Sequence, residues 1–166
     1  TYVNTHTDLS DELYREGKLV SDNYKNILRS QTNAAAIPAE VTVRYGVTVR
    51  RANLRNLPTG EGLFFYAGDR NFDALQETAL DPGEAVAILH TSTNGYFYYV
   101  QAYNYRGWLS KFDVAETDRS IWLRYAEPKN FLTVVAKDYT LKADGAQVLF
   151  QQGARLQLAD KKASAY

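Results

Sequence analysis

Residues 83–110 read GEAVAILHTSTNGYFYYVQAYNYRGWLS, and the fold follows from how this stretch divides. Two runs rich in β-branched and aromatic residues flank TSTNG, and Asn94-Gly95 is the preferred pair for a hairpin turn because both residues tolerate positive φ. A second, shorter hairpin follows, with AYNYRG turning the chain into WLS. Before it, AEVTVRYGVTVRRANLR (39–55) also alternates, setting Val41 and Val43 on one side, then Val47 and Val49, with a bend or bulge expected at Tyr45-Gly46.

Between these strands, residues 57–83 hold Pro58, Gly60, Gly62, Gly68 and Pro82 together with Phe64, Phe65, Tyr66 and Phe72. This predicts a long functional loop pinned by its aromatic side chains. Residues 8–31 place Leu9, Leu13, Val20, Tyr24, Ile27 and Leu28 at helical spacing, which predicts two short helices or one broken helix, capped at Asp8 or Ser10 and again at Ser21. After a charged connector with a short helical turn near 121–125, residues 131–158 predict four short strands, with Asp144-Gly145 as a hairpin pair and Gly153 as a bend. The tail DKKASAY has no core signal and is expected to fray.

The expected class is therefore mainly β: a small SH3-like barrel plus part of a second SH3-like barrel, with an N-terminal helical segment. The expected divisions are 1–38 helical, 39–116 first barrel, 117–130 connector and 131–166 partial second unit. The last is too short to close a barrel, so it is expected either to be a truncated unit or to complete its sheet on the first unit or on a missing partner.

Composition narrows the function. The 166 residues carry 19 Lys plus Arg against 19 Asp plus Glu, which removes the electrostatic basis for nucleic-acid binding. No apolar run approaches the roughly 20 residues of a membrane span, and the start lacks a signal-peptide pattern; an exported protein would have lost its signal already. There is no cysteine, hence no disulfide or thiol nucleophile, and two histidines supply little for imidazole chemistry or a metal site. No P-loop or nucleophile-elbow pattern occurs. No cofactor is expected, and binding stands ahead of catalysis.

Together VTVRRANLRNLPT (47–59), FDALQETALDPGEAVAILHTSTNGYFYYV (72–100) and YRGWLSKFDVA (105–115) resemble the first bacterial SH3 (SH3b) domain that precedes the catalytic domain in NlpC/p60 cell-wall cysteine peptidases. FLTVVAKDYTLKADGAQVLFQQGARLQL (131–158) resembles the opening half of the second. The resemblance implies a role in peptidoglycan turnover, where family members cleave between γ-D-glutamate and a diamino acid with a Cys-His site in a later domain. Lacking cysteine, this chain would be the non-catalytic part, partnered by a catalytic cysteine-peptidase domain supplied C-terminally or by another chain. Its ligands would be peptidoglycan stem peptides, and its location the cell envelope, periplasmic or extracellular. The N-terminal stretch matches the place of a segment that clamps the domains together.

Candidate ligand residues are Tyr98, Tyr103 and Tyr105, which offer apolar faces with a hydroxyl rim, and Glu61 and Asp73, among the carboxylates Glu61, Asp69, Asp73 and Glu77 in and beside the loop. One such acid would meet the free amine of a stem peptide. The competing readings are chance exposure of tyrosines on a β surface and ordinary ion pairs with Arg51, Arg55 or Arg70. Trp108 reads as core and His90 as a hydrogen-bonded residue at a strand end. Two other functions stay open: an SH3-like adaptor binding an extended peptide, and an enzyme using Asp73 and Glu77 as paired carboxylates.

Overall fold

The computed structural model describes residues 9–158; the Asp8 cap, His6 and the tail from Asp160 lie outside them. The chain is mainly β, as the alternation predicts, and its centre is one antiparallel sheet of seven strands. These are β3 (Arg44–Thr48), β4 (Ala52–Arg55), β5 (Gln76–Leu80), β6 (Ala85–Thr91), β7 (Phe97–Gln101), β8 (Arg106–Ser110) and β9 (Val114–Thr117). Their order is β5-β4-β8-β7-β6-β3-β9, so the first and last strands of the barrel, β3 and β9, pair with each other. A 3-10 turn, Lys111–Asp113, leads into β9.

Every second residue of these strands points inward, and Ala52, Leu54, Leu80, Val86, Ile88, Val100, Leu109 and Val114 form one buried core. Trp108 is fully buried beside Tyr99, ring centroids 5.2 Å apart, as a core tryptophan should be. Two glycines let the strands approach. A Cβ on Gly107 would sit 2.6 Å from the Arg55 carbonyl oxygen, and one on Gly46 would sit 2.5 Å from Val114 Cγ1.

Several expectations are corrected. The strand at 41–43 is absent: Val41 and Val43 are exposed and β3 begins at Arg44. β3 passes through Gly46 without a bulge, because the glycine serves close packing, and Val49 lies beyond the strand, exposed. The 92–96 hairpin is wider than a two-residue turn; only Gly95 has positive φ, and Asn94 Oδ1 accepts from Ser92 Oγ and the Tyr96 amide. The long loop ends earlier than 83, since residues 76–80 form β5.

At the N-terminus, one helix replaces the broken pair. Helix α1 (Asp22–Gln31) is capped by Ser21, whose hydroxyl accepts the Tyr24 amide, as expected. Residues 9–21 are not helical. They contain a minimal hairpin, β1 (Tyr14–Arg15) and β2 (Lys18–Leu19), turned by Glu16 and Gly17, both at positive φ. Leu9, Leu13, Val20 and Leu28 still bury together, but against Leu57, Leu63 and Leu75 of the long loop, while Ile27 faces out.

The connector holds helix α2 (Arg119–Ala126), longer than a turn, whose Trp122 lies tilted against Tyr45, ring centroids 5.1 Å apart, and donates from Nε1 to the Val86 carbonyl at 3.1 Å. Four strands follow, as predicted: β10 (Phe131–Thr133), β11 (Asp138–Ala143), β12 (Ala146–Gln151) and β13 (Arg155–Gln157). They form two separate pairs, β10-β13 and β11-β12, over a small core of Val134, Phe150 and Ala154. The Asp144-Gly145 turn has positive φ at both residues, the type I′ geometry its sequence favours. The first barrel meets this unit at Asp81, whose Oδ1 accepts from both Arg51 Nη1 and the Gln151 amide, each at 3.1 Å. Burial here, and the nearby Asp81, push the Glu84 carboxyl above its usual range.

Gly107→Ala should lower stability by about 2–3 kcal/mol, because backbone, not a flexible side chain, occupies the space of the new methyl. Gly60→Ala, with open space around it, should change it by less than about 0.5 kcal/mol. Urea denaturation of both variants checks the pair.

Candidate functional site

The loop leaving β4 is organised by charge. Arg55, buried at the end of β4, pairs through Nη1 with Asp73 Oδ2 at 2.7 Å and donates from Nη2 to the Glu61 carbonyl at 2.6 Å. The other oxygen of Asp73 accepts the amides of Leu63 (3.1 Å) and Leu75 (3.0 Å). One carboxylate thus ties the start and the end of the loop to β4. Of the aromatics expected to pin it, Phe65, Tyr66 and Phe72 do not, being 47%, 75% and 77% exposed, while Phe64 is half-buried and bridges to Tyr14. Leu57, Leu63 and Leu75 supply the burial instead.

Onto this loop folds the N-terminal hairpin. Tyr14 and Phe64 exchange two backbone hydrogen bonds, 2.7 and 2.9 Å, and Val20 N donates to Leu13 O at 2.8 Å. That places Arg15 of β1 and Tyr24 of α1 beside Glu61. Arg15 pairs with Glu61 at 3.0 Å and lies 5.1 Å above the Tyr24 ring, while the Tyr24 hydroxyl donates to the same carboxylate. Burial first, and the Glu61 carboxylate second, push the Tyr24 hydroxyl up to about 12. Glu61 itself stays about half exposed, its side chain 44% accessible. The cluster is a surface carboxylate held by one partly exposed arginine and one phenol.

The sequence candidates do not share one strip. Tyr98 is half-buried near the start of β7, donating to Glu116 Oε1 at 2.6 Å under the guanidinium of Arg44, which itself pairs with Glu116 at 2.9 Å. Burial, then the bond to Glu116, raise the Tyr98 hydroxyl above its ordinary value. Tyr103 (95% exposed) and Tyr105 (42%) stand on the turn at the other end of β7, about four residues or roughly 13 Å away along a strand. Asp73 is engaged inside the loop. Asp69 Oδ1 accepts the Asn71 amide at 2.8 Å, and Glu77 is exposed on β5, so the Asp73–Glu77 pair imagined for acid–base work does not face one cleft. His90 sits at the end of β6 with Nε2 donating to the Asn33 carbonyl at 3.1 Å, the structural role expected of it.

Sequence reasoning missed Arg15 and Tyr24. In the sequence Tyr24 reads as part of an apolar helix face, and its place in the first turn of a helix capped by Ser21 is the one local sign that it lies near a helix end. Nothing in the sequence points Arg15 at Glu61. Among the described residues, no group of three His, Asp or Glu side chains could hold a metal ion, and no helix is long and apolar enough to cross a membrane.

The strand order, the 3-10 turn before the closing strand and the long loop between β4 and β5 define an SH3-type barrel. Residues 63–110 match the family profile described as SH3 domain (SH3b1 type), so the bacterial SH3 domain suggested by the motifs is present. Among solved structures, the chain is similar to an NlpC/P60 endopeptidase from Photobacterium damselae subsp. piscicida, with a TM-score of 0.69 and 22% identity. That alignment covers 85% of this chain and 33% of the other, so the chain spans about a third of that relative, and the two share a fold. No curated protein matches the chain.

Two measurements test the site's construction. Asp73→Ala leaves the buried Arg55 unpaired and two amides without an acceptor, and should cost about 3–5 kcal/mol in chemical denaturation. In a titration of tyrosine absorbance, one phenol should ionise near pH 12 and be missing from Tyr24→Phe. Because the folded state holds that proton above the ordinary tyrosine value of about 10, its contribution to stability is complete below pH 10 and is lost as pH rises toward 12. Glu61→Gln should bring the ionisation down only part of the way, since burial is the larger cause.

Proposed function

We propose that this chain is the non-catalytic recognition and targeting module of a cell-wall peptidase, and that its first barrel binds peptidoglycan stem peptides. The family match at residues 63–110 and the barrel shared with an NlpC/P60 endopeptidase support a peptidase-associated bacterial SH3 module. The observation that carries the ligand is Glu61: a half-exposed carboxylate whose present cation, Arg15, is itself only partly buried, so that their ion pair is of the solvent-screened kind. The free α-amino group of a stem peptide displaces that guanidinium and keeps the Tyr24 hydroxyl as a second partner, giving a charge-assisted bond. Tyr103 and Tyr105 stand at the end of β8 toward which β4 delivers the Glu61 loop, and serve as apolar walls. Asp73 acts through the loop it fixes, while Tyr98, bonded to Glu116, takes no part in this contact.

The hydrolytic step belongs to a cysteine-peptidase domain supplied C-terminally or by another chain, because this sequence contains no cysteine. The module works in the cell envelope, on the periplasmic or extracellular side, where stem peptides are found. An adaptor for extended proline-rich peptides needs adjoining aromatic slots. Tyr98 is covered by Arg44 and lies at the far end of its strand from Tyr103, which does not supply them.

An NMR titration with an L-Ala-γ-D-Glu-diamino acid tripeptide, with free and with acetylated amino terminus, tests this reading. The Glu61 and Tyr24 resonances should shift with the free peptide only, and Glu61→Gln should remove the response. The absence of shifts at about 1 mM peptide, the range of about −4 kcal/mol of binding, would refute recognition by the barrel itself.

A further inference from the structure

The Arg15–Glu61 ion pair joins two backbones that are each fixed. Glu61 N donates to Thr59 Oγ1 at 3.1 Å and its carbonyl accepts Arg55 Nη2 at 2.6 Å, so the residue is held on both sides while its carboxylate stays at the surface. Arg15 follows Tyr14 on β1, and Tyr14 exchanges backbone bonds of 2.7 and 2.9 Å with Phe64. Leu13 and Val20, on either side of the hairpin, are buried against the long loop. Opening the pair therefore requires no movement of either main chain. The Arg15 side chain rotates, and the face of the Tyr24 ring, whose centroid lies 5.1 Å from the guanidinium carbon, keeps the cation close to Glu61.

Charge balance then restricts what can enter. With the two side chains 39% and 44% accessible, the pair is screened by water and is worth at most about a fivefold factor in an equilibrium constant. A ligand that brings only an ammonium trades guanidinium–carboxylate for ammonium–carboxylate. It gains nothing by the exchange and leaves the guanidinium stranded beside a second positive charge. A ligand that brings only a carboxylate strands Glu61 in the same way. One that brings both charges turns a single ion pair into two, with none left over. The donors agree with this count. The Tyr24 hydroxyl already donates to Glu61 and keeps doing so through the exchange, and the planar fork of a guanidinium is the side-chain group that best matches a carboxylate.

We propose that Arg15 and Glu61 together read a zwitterionic segment, with the ligand's ammonium on Glu61 and a carboxylate one residue further along on the guanidinium that the ammonium displaces. In a stem peptide these groups are the amine of L-Ala and the α-carboxylate of D-Glu, which the γ-linkage leaves free. Arg15 is then a specificity-determining residue and not only the cation that fills the site between ligands. The inference rests on the stem-peptide reading, which by itself requires the amine contact alone.

The test is an NMR titration of the whole chain, to about 10 mM, with the L-Ala-γ-D-Glu-diamino acid tripeptide and with the same peptide amidated at the D-Glu α-carboxyl, both with a free amine. The parent should bind the acid form roughly three- to tenfold more tightly than the amide. Arg15→Gln, which strands no guanidinium, should raise the affinity for the amide until the two peptides bind within about twofold of each other. Arg15→Lys, which keeps the charge without the fork, should restore part of the preference. Loss of a merely structural contact would lower both affinities together and leave their ratio alone, and thermal midpoints matching the parent's show that both variants fold. Equal affinities of the two peptides in the parent overturn the proposal. So does a preference that survives unchanged in Arg15→Gln, or a rise in affinity for both peptides alike, the mark of a simple competitor. If the peptides bind equally while Glu61 and Tyr24 still respond only to a free amine, the stem-peptide reading stands and this one falls. Silence at Glu61 and Tyr24 with both peptides defeats the two together.

Discussion

The Arg55–Asp73 ion pair is the constraint on which the loop after β4 and the N-terminal segment depend. Arg55 is placed by strand pairing, opposite Trp108 on β8, and once there its guanidinium needs a partner because it is buried. Asp73 meets it at 2.7 Å, eighteen residues later in the chain, and spends its second oxygen on the amides of Leu63 and Leu75. A buried pair of this kind gives modest net stability but a large penalty for any arrangement that separates it. It therefore chooses one loop conformation from many. That conformation lines up Leu57, Leu63 and Leu75 as the wall on which Leu9, Leu13, Val20 and Leu28 pack. The N-terminal segment has no barrel core of its own to join, so its position is set second-hand by this pair.

How much of this was legible follows from the range of the interactions involved. The hairpins were legible because period-two alternation and Gly-containing turns are local signals, and β6, β7, β8, β11 and β12 all fall where those signals put them. The buried Trp108 and the bonded His90 were legible for the same reason. The segment 9–21 misled because Leu9, Leu13 and Val20 fit a helical spacing equally well when they are buried by an irregular chain against a loop. Glu16-Gly17 was the contrary signal, since two residues at positive φ make a hairpin turn rather than a helix interruption. β5 hid inside the loop because Gln76, Glu77 and Thr78 carry a sheet edge with no apolar alternation to mark it.

The candidate site was legible in its acids and not in their roles. Glu61 and Asp73 were both singled out, but which is buried and which is available depends on Arg55, Arg15 and Tyr24, and those contacts cross between distant parts of the chain. The tyrosines were chosen by type from one dense aromatic run. Strand geometry then separates them, because a run of side chains along β7 and its two turns is longer than any small ligand. The exposed Phe65, Tyr66 and Phe72 show the opposite error: aromatic content in a loop was taken to mean anchorage, when leucines and one ion pair were enough to hold it.

Helix α1 joins the two ends of the barrel. Its first turn carries Tyr24 to Glu61, and its last carbonyls, left without partners within the helix, accept from Thr93: Thr93 N to Gln31 O at 3.0 Å and Thr93 Oγ1 to Ser30 O at 2.9 Å. Thr93 belongs to the hairpin that presents Tyr96. Ten helical residues span about 15 Å, so the helix is a strut of fixed length between the carboxylate cluster and the hairpin 92–96. On the proposed function, a chain with no cysteine nucleophile would hold its ligand by geometry, with the bond-breaking chemistry supplied by another domain.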